Sequence, residues 1–361
     1  MYDDPALKAN HVVADARTGR FIVFSDLHRG QGDAADDYVL CEDAYVAALR
    51  HYADEGYSLI HLGDVEELWE VPEKRWPAIF EAHARSYDIE RALHLDGRYH
   101  RVFGNHDMPW VSHETVEKYL HPVFPDLEVP EVITLPVVDA GIAQGRLYLF
   151  HGHQGELFSD ELRSLAQFFV FALWASVQRV LNVRSTHYTP MFELENDRDR
   201  SIYFDWAVTY GNFISMSGHT HRPVCEVWDG LAHPERIHRL IAKLESRLRV
   251  ARRDAQLAAQ IRTHLKLWKD RYTRALTGEH EPHRFQPSFL NTGCCCFDEP
   301  IISGIEIADS SIRLVRWVHE GGSAKRQQLR TVPLLDALAA TGRRVGPGFW
   351  SARRLEVVIA D

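Results

Sequence analysis

Short apolar runs recur along the chain, each ending abruptly in polar residues. They are FIVF (21–24) before SDLH, SLIHL (58–62) before GD, and YHRVF (99–103) before GNHD. RLYLF (146–150) before HGH and FISMS (213–217) before GHTH complete the series. Runs of this length, bounded by turn residues, predict strands. Between the first three lie segments of helical character, such as EDAYVAALRHYADEG (42–56). Strands alternating with helices predict an α/β layer architecture, and polar residues gathered at strand ends mark where such sheets place a site. After residue 285 the character changes: SFLNTGCCCF, IISGIEIADS and SIRLVRWVHE are β-branched and closely spaced. They predict antiparallel strands joined by short turns, able to complete a second sheet packed on the first.

Two long insertions interrupt this pattern. The first, 155–212, contains the nearly uncharged stretch SLAQFFVFALWASVQ (164–178), too short to span a bilayer. The second, 230–285, has neither Gly nor Pro from Glu235 to Thr277. Ile237, Ile241, Leu244, Leu248, Ala251, Ala255 and Ala258 follow 4-3 spacing, which restarts one residue early with Ile261, Leu265, Trp268 and Tyr272. That period predicts helix close to a coiled-coil seam, and the slip allows either a local overwind or a reversal into a hairpin. The remainder, 320–361, is mixed in pattern and is expected as a tail on the surface.

Composition narrows the class. At 361 residues, with 45% hydrophobic and 25% charged residues, the chain suits a soluble globular protein. A net charge of −10 disfavours a general nucleic-acid binder. The segment 235–276 carries 12 Lys/Arg against 4 Asp/Glu, a net of +8, so the rest of the chain holds −18. The N-terminal stretch lacks a basic region followed by an apolar one, and five cysteines form no disulfide framework. A reducing, cytoplasmic setting is expected. The consecutive Cys294, Cys295 and Cys296 are expected as small buried residues.

The chemistry sits at the strand ends. Asp26 and His28, two apart on extended chain, project together, and burying either alone is costly. The later ends add Asp64, then Asn105 and His106, then His151 and His153, then His219 and His221. Aspartate, asparagine carbonyl and imidazole together suit borderline divalent ions, and one carboxylate can bridge two of them.

The series Asp26-x-His28, Gly63-Asp64, Gly104-Asn105-His106-Asp107, His151-Gly152 and Gly218-His219-x-His221 resembles the calcineurin-like metallophosphoesterase superfamily. The resemblance spans 18–319, less the insertions, with FLNTG (289–293) similar to that family's C-terminal sheet. It implies a four-layer αββα sandwich, here with two largely helical insertions, and a centre of two divalent ions. Mn, Fe, Zn or Co would serve, Mn or Fe being favoured. By the same resemblance Asp26, His28 and His221 would hold the first ion and Asn105, His151 and His219 the second. Asp64 would bridge them, His106 would protonate the leaving oxygen, and Asp107 would orient His106. His153 is an alternative to His151 or a neighbour supporting it. Arg29 and Arg222 could reach substrate phosphate or form ordinary salt bridges.

GDVEELWE (63–70) also resembles the Gly-Asp-x-x-Glu-x-Trp run of UDP-2,3-diacylglucosamine hydrolases, although those have arginine where His106 stands. The expected function is dinuclear metal-dependent hydrolysis of a small phosphomono- or phosphodiester. The alternatives are a nucleotide-lipid pyrophosphatase using 164–178, a nuclease, or a non-catalytic scaffold. Peripheral membrane contact is not favoured, and homodimerisation through 230–285 is allowed by its seam.

Overall fold

The computed structural model describes residues 10–11, 14–15, 19–153, 213–225 and 289–342, together with eleven helical positions between 238 and 273. The first insertion, 155–212, lies outside the described residues. The chain divides into two compact units, Met1–Cys225 with Ser288–Asp361, and Glu226–Pro287.

The larger unit is an α/β fold built on two sheets. One holds β1 (Asn10–His11), β2 (Ala14–Asp15), β6 (Val132–Asp139), β7 (Ile142–Phe150), β8 (Phe213–Ser217), β9 (Val224–Cys225) and β10 (Phe289–Asn291). Its order is β1-β6-β7-β8-β10-β9, with β2 also pairing β6. The other holds β3 (Phe21–Phe24), β4 (Ser58–Leu62), β5 (Tyr99–Val102), β11 (Ile301–Ala308), β12 (Ser311–Glu320) and β13 (Ser323–Pro333). Its order is β13-β12-β11-β3-β4-β5, with β3, β4 and β5 parallel. The helices are α1 (Glu42–Asp54), α2 (Trp76–Ala82), α3 (Ala84–Leu95), α4 (His113–Tyr119) and α5 (Leu334–Gly342).

The period of two in β3 assigns its apolar residues to two interiors. Phe21 and Val23 join Ile60, Leu62, Val102, Leu135, Leu147, Ile214 and Met216 between the sheets. Ile22 and Phe24 face the helices, meeting Tyr45, Leu49 and Tyr52, which recur at helical spacing along α1. The same alternation runs along β12, the extra residue of its register shift with β13 falling at Leu329 of β13. Ile312 and Leu314 therefore lie between the sheets, whereas Val315 and Trp317 lie on the helix side.

The segment expected as a surface tail from 320 is instead structural in its first part. β13 pairs along β12, and α5 buries Leu334, Ala337 and Leu338 in the inter-sheet core. Its pattern hid this because β13 is an edge strand with no apolar face, mostly exposed except for Val332. Lys325 and Arg330 on such an edge discourage pairing with another chain.

In the smaller unit, described positions from 238 to 249 and from 262 to 273 are helical. Lys269 Nζ lies 2.6 Å from Glu245 Oε1. A continuous helix would separate those residues by about 36 Å, so the two described sets of helical positions do not belong to one straight helix. Among the described residues no helix is long and apolar enough to cross a membrane.

Candidate metal centre

Parallel pairing of β3, β4 and β5 brings their carboxyl ends to one edge, and the loops beyond continue in register. The Asp26 amide donates to the Gly63 carbonyl (3.1 Å), and the His28 amide donates to that of Asp64 (3.0 Å). Asp26, His28, Asp64, His219 and His221 all have positive φ, between 50° and 67°. Non-glycine residues enter this region at a cost and cluster there at functional sites. Five of the seven expected ligands are held this way. Gly104 permits the close approach of two loops, since a Cβ there would meet Asp64 Oδ1 and, at 2.7 Å, the Asp64 amide nitrogen. A Gly104→Ala protein is expected to displace Asp64 and lose metal affinity, checked by metal content after dialysis against a fixed free-ion concentration.

The side chains converge as two groups that share Asp64. His28 Nε2 and His221 Nε2 are 3.3 Å apart, and His221 Nε2 is 3.3 Å from Asp26 Oδ1. Asp64 Oδ2 lies 3.7 Å from His28 Nε2 and 3.1 Å from His151 Nε2. His151 Nε2 is 2.9 Å from Asn105 Oδ1, and the His219 ring lies 5.0 Å from that of His151. Donor atoms of Asp26, His28 and Asp64 fall within 4.8 Å of one another, as do those of Asp64, His151 and His219.

The donor set fits divalent metal ions. Ligand atoms about 2.0–2.2 Å from one ion stand roughly 3.0–3.5 Å apart, close to the shorter separations above. Outer hydrogen bonds aim the rings: His151 Nδ1 donates to the Leu62 carbonyl (2.7 Å) and His28 Nδ1 to Glu67 Oε2 (3.0 Å). Each leaves an Nε2 lone pair facing inward. Without a cation, burial pulls the His151 pKa down, but Asp64 and Asp26 outweigh it and push it up to about 9. Burial opposes ionisation of Asp64 as well, yet His151, His106 and His28 hold its carboxyl well below the usual range. A cation entering here would displace protons.

His106 stands at the rim of this cluster. Its amide donates to Asp64 Oδ1 (2.8 Å), its Nδ1 lies 2.6 Å from Glu67 Oε2, and Trp69 stacks on its ring at 4.1 Å. Burial lowers its pKa, but Glu67 and Asp64 outweigh that and raise it to about 9. Burial likewise opposes the Glu67 carboxylate, but His106 and His28 hold it at about 2.

Two expectations are corrected. Asp107 does not orient His106: its Oδ1 accepts from the Gly104 amide (2.5 Å), and its Oδ2 from the Val65 amide and Arg101 Nη2 (both 2.9 Å). Consecutive side chains leaving a turn point apart, so Asp107 staples the Asp64 loop to the Asn105 loop. Arg29 is fully buried, paired through both Nη atoms with Glu90 and lying 4.2 Å from the Tyr87 ring centroid. It cannot extend to a phosphate. Arg222 is half-buried beside His221. His153 lies 5.4 Å from His151 and 6.1 Å from Phe103, ring to ring, while His151 Nε2 is the atom facing Asp64. Glu67 is the site residue that sequence reasoning did not assign. Its signal was the Glu67-x-Trp69 part of the 63–70 run, now seen embracing His106.

The sequence model described as calcineurin-like phosphoesterase matches residues 19–223. No curated protein matches the chain. Two solved structures are similar to it. A single-mutant Vps29 from Entamoeba histolytica is 16% identical with a TM-score of 0.30, the match covering 86% of this chain and 98% of that one. Vacuolar Protein Sorting 29 from Cryptosporidium parvum is 12% identical with a TM-score of 0.30, covering 87% and 98%.

Proposed function

Because the chain belongs to the calcineurin-like phosphoesterase family, we propose that it is a dinuclear metal-dependent hydrolase of phosphomono- or phosphodiesters. The observation that carries this reading is the sharing of one buried carboxylate, Asp64, by two donor groups with His106, paired to Glu67, at their rim.

In this reading Asp26, His28 and His221 would hold the first ion and Asn105, His151 and His219 the second, with Asp64 available to both. Two such ions would lower the pKa of water and offset negative charge on the phosphoryl oxygens. The chain's own residues do the rest. Glu67 engages His106 at Nδ1, which leaves Nε2 to present the transferable proton. As the bond from phosphorus to the leaving oxygen breaks, that proton passes from Nε2 to the oxygen, and the departing group leaves as an alcohol. The Glu67 carboxylate then favours reprotonation of the ring. Trp69 covers one face of His106 and limits its contact with water. Arg222, next to His221 in the chain, would be a candidate to meet a phosphoryl oxygen.

The test is hydrolysis of p-nitrophenyl phosphate and bis-p-nitrophenyl phosphate by protein stripped of metal and then given Mn, Fe, Zn or Co. Turnover is expected on reconstitution. His106→Ala should retain both ions while kcat falls by about 10²–10⁴-fold. No turnover with any ion would sink the reading, and wild-type kcat in His106→Ala would remove the acid role.

A further inference from the structure

The cysteine triplet that sequence reasoning treated as filler lies against a residue of the metal centre. Three of its histidines turn Nε2 inward, and the outer nitrogen of each has a different partner. His151 Nδ1 meets a backbone carbonyl and His28 Nδ1 a carboxylate. His221 Nδ1 faces sulfur, with Cys296 Sγ at 3.9 Å and Cys294 in contact with the same ring. The path of the chain explains the placement. Beyond β10, Asn291 Nδ2 donates to the Gly218 carbonyl (2.6 Å) and the Cys295 amide to the Asp26 carbonyl (3.0 Å). The triplet therefore crosses behind both Asp26 and His221. Cys294 and Cys296 meet the histidine, while Cys295 between them joins the helix-side core.

We propose that Cys296, with Cys294 beside it, anchors His221 from behind and so sets the affinity of the first metal position. This rests on the metal-centre reading above. A neutral imidazole whose Nε2 lone pair faces a cation carries its hydrogen on Nδ1, and that hydrogen needs an acceptor. Sulfur is a larger and weaker acceptor than carbonyl or carboxylate oxygen. His221 is thus the most loosely aimed of the three rings, and the position formed by Asp26, His28 and His221 is the one that exchanges its ion first. The cysteines are positioning residues that act through His221 and touch no substrate.

The test titrates metal-free protein with Zn²⁺ or Mn²⁺ in equilibrium dialysis. Wild type is expected to take up two ions per chain. A Cys294→Ala/Cys296→Ala protein should hold one at wild-type affinity and the other about 10–100-fold more weakly, the usual cost of losing an outer partner. Cys296→Ser, which restores an acceptor, should recover part of the loss. Cys225→Ala, a buried cysteine on β9, should match wild type. In parallel, the His221 Nδ1–H resonance in ¹⁵N-edited spectra should move in Cys296→Ala, which a packing defect elsewhere would leave in place. Should the double alanine protein fail to fold, the single Cys296→Ala protein decides the matter, and wild-type affinity for both ions there overturns the inference. Two ions at wild-type affinity in the double variant overturn it as well, leaving the proposed function intact. A wild-type protein that binds no ions overturns both.

Discussion

An Asp64→Ala protein is expected to bind neither ion tightly and to lose hydrolysis by roughly 10³-fold or more, the loss that follows from several kcal/mol of metal-derived stabilisation. Asp64 Oδ2 lies between His28 and His151, the two histidines of opposite groups. Its other oxygen accepts from the His106 amide and so fixes the residue that presents the proton. Alanine removes both functions and leaves four imidazoles converging with one carboxylate fewer. Asp64→Asn separates the effects: the amide oxygen can still accept from His106, but the charge that favours two cations is gone. Metal content by elemental analysis should fall in both variants, with far-ultraviolet circular dichroism unchanged in the asparagine protein. Two bound ions and wild-type turnover in Asp64→Ala would overturn the shared role of this carboxylate.

The strand ends were legible because two local signals coincide there. A short apolar run stops, and residues able to hold a metal follow at spacings that the left-handed backbone at Asp26, His28, Asp64, His219 and His221 turns into convergence. The helix-facing side of the sheet that holds β3, β4 and β5 was less legible. His61 and Arg101 lie inside runs that read as apolar strands, yet both are fully buried and paired across the fold with Tyr45, Tyr99, Glu66 and Asp107. No local pattern names such partners. The roles of Glu67, Asp107 and Cys296 were hidden for the same reason. Sequence adjacency suggested that Asp107 serves His106, but the carboxylate that reaches His106 comes from a different loop. β13 escaped because an exposed edge strand carries no apolar face to give it a period.

An Arg101→Met protein is expected to lose about 3–5 kcal/mol of stability, the usual consequence of removing one partner from a buried ion pair. Arg101 is fully buried on β5, with Nη1 3.0 Å from Glu66 Oε1 and Nη2 2.6 Å from Glu66 Oε2. Nη2 also donates to Asp107 Oδ2 (2.9 Å), while Glu66 accepts further from Tyr87 and Trp110 (both 2.9 Å). One guanidinium thus serves two buried carboxylates. Burial raises the Asp107 pKa, helped by Asp64 and Glu66 against Arg101, to about 6 even with its partner present. Without Arg101 the Asp107 pKa would rise further, and Glu66, which burial pushes up but Arg101 holds below the usual carboxylate range, would rise as well. Groups whose folded pKa exceeds the unfolded value stabilise the fold at low pH and lose that contribution as pH rises toward the folded pKa. The deficit of the variant should therefore be larger at about pH 8 than at about pH 5.5. Urea unfolding of metal-free protein at the two pH values measures it, and an equal deficit at both would show that the carboxylates do not carry the effect. An Arg101→Met/Glu66→Leu protein should recover part of the lost stability, since a matched apolar pair leaves one fewer charge buried. The same substitutions reach the metal centre, because Asp107 no longer held by Arg101 slackens its grip on the Val65 and Gly104 amides, which flank Asp64 and Asn105. Metal affinity in Arg101→Met should accordingly fall even at temperatures where the chain remains folded.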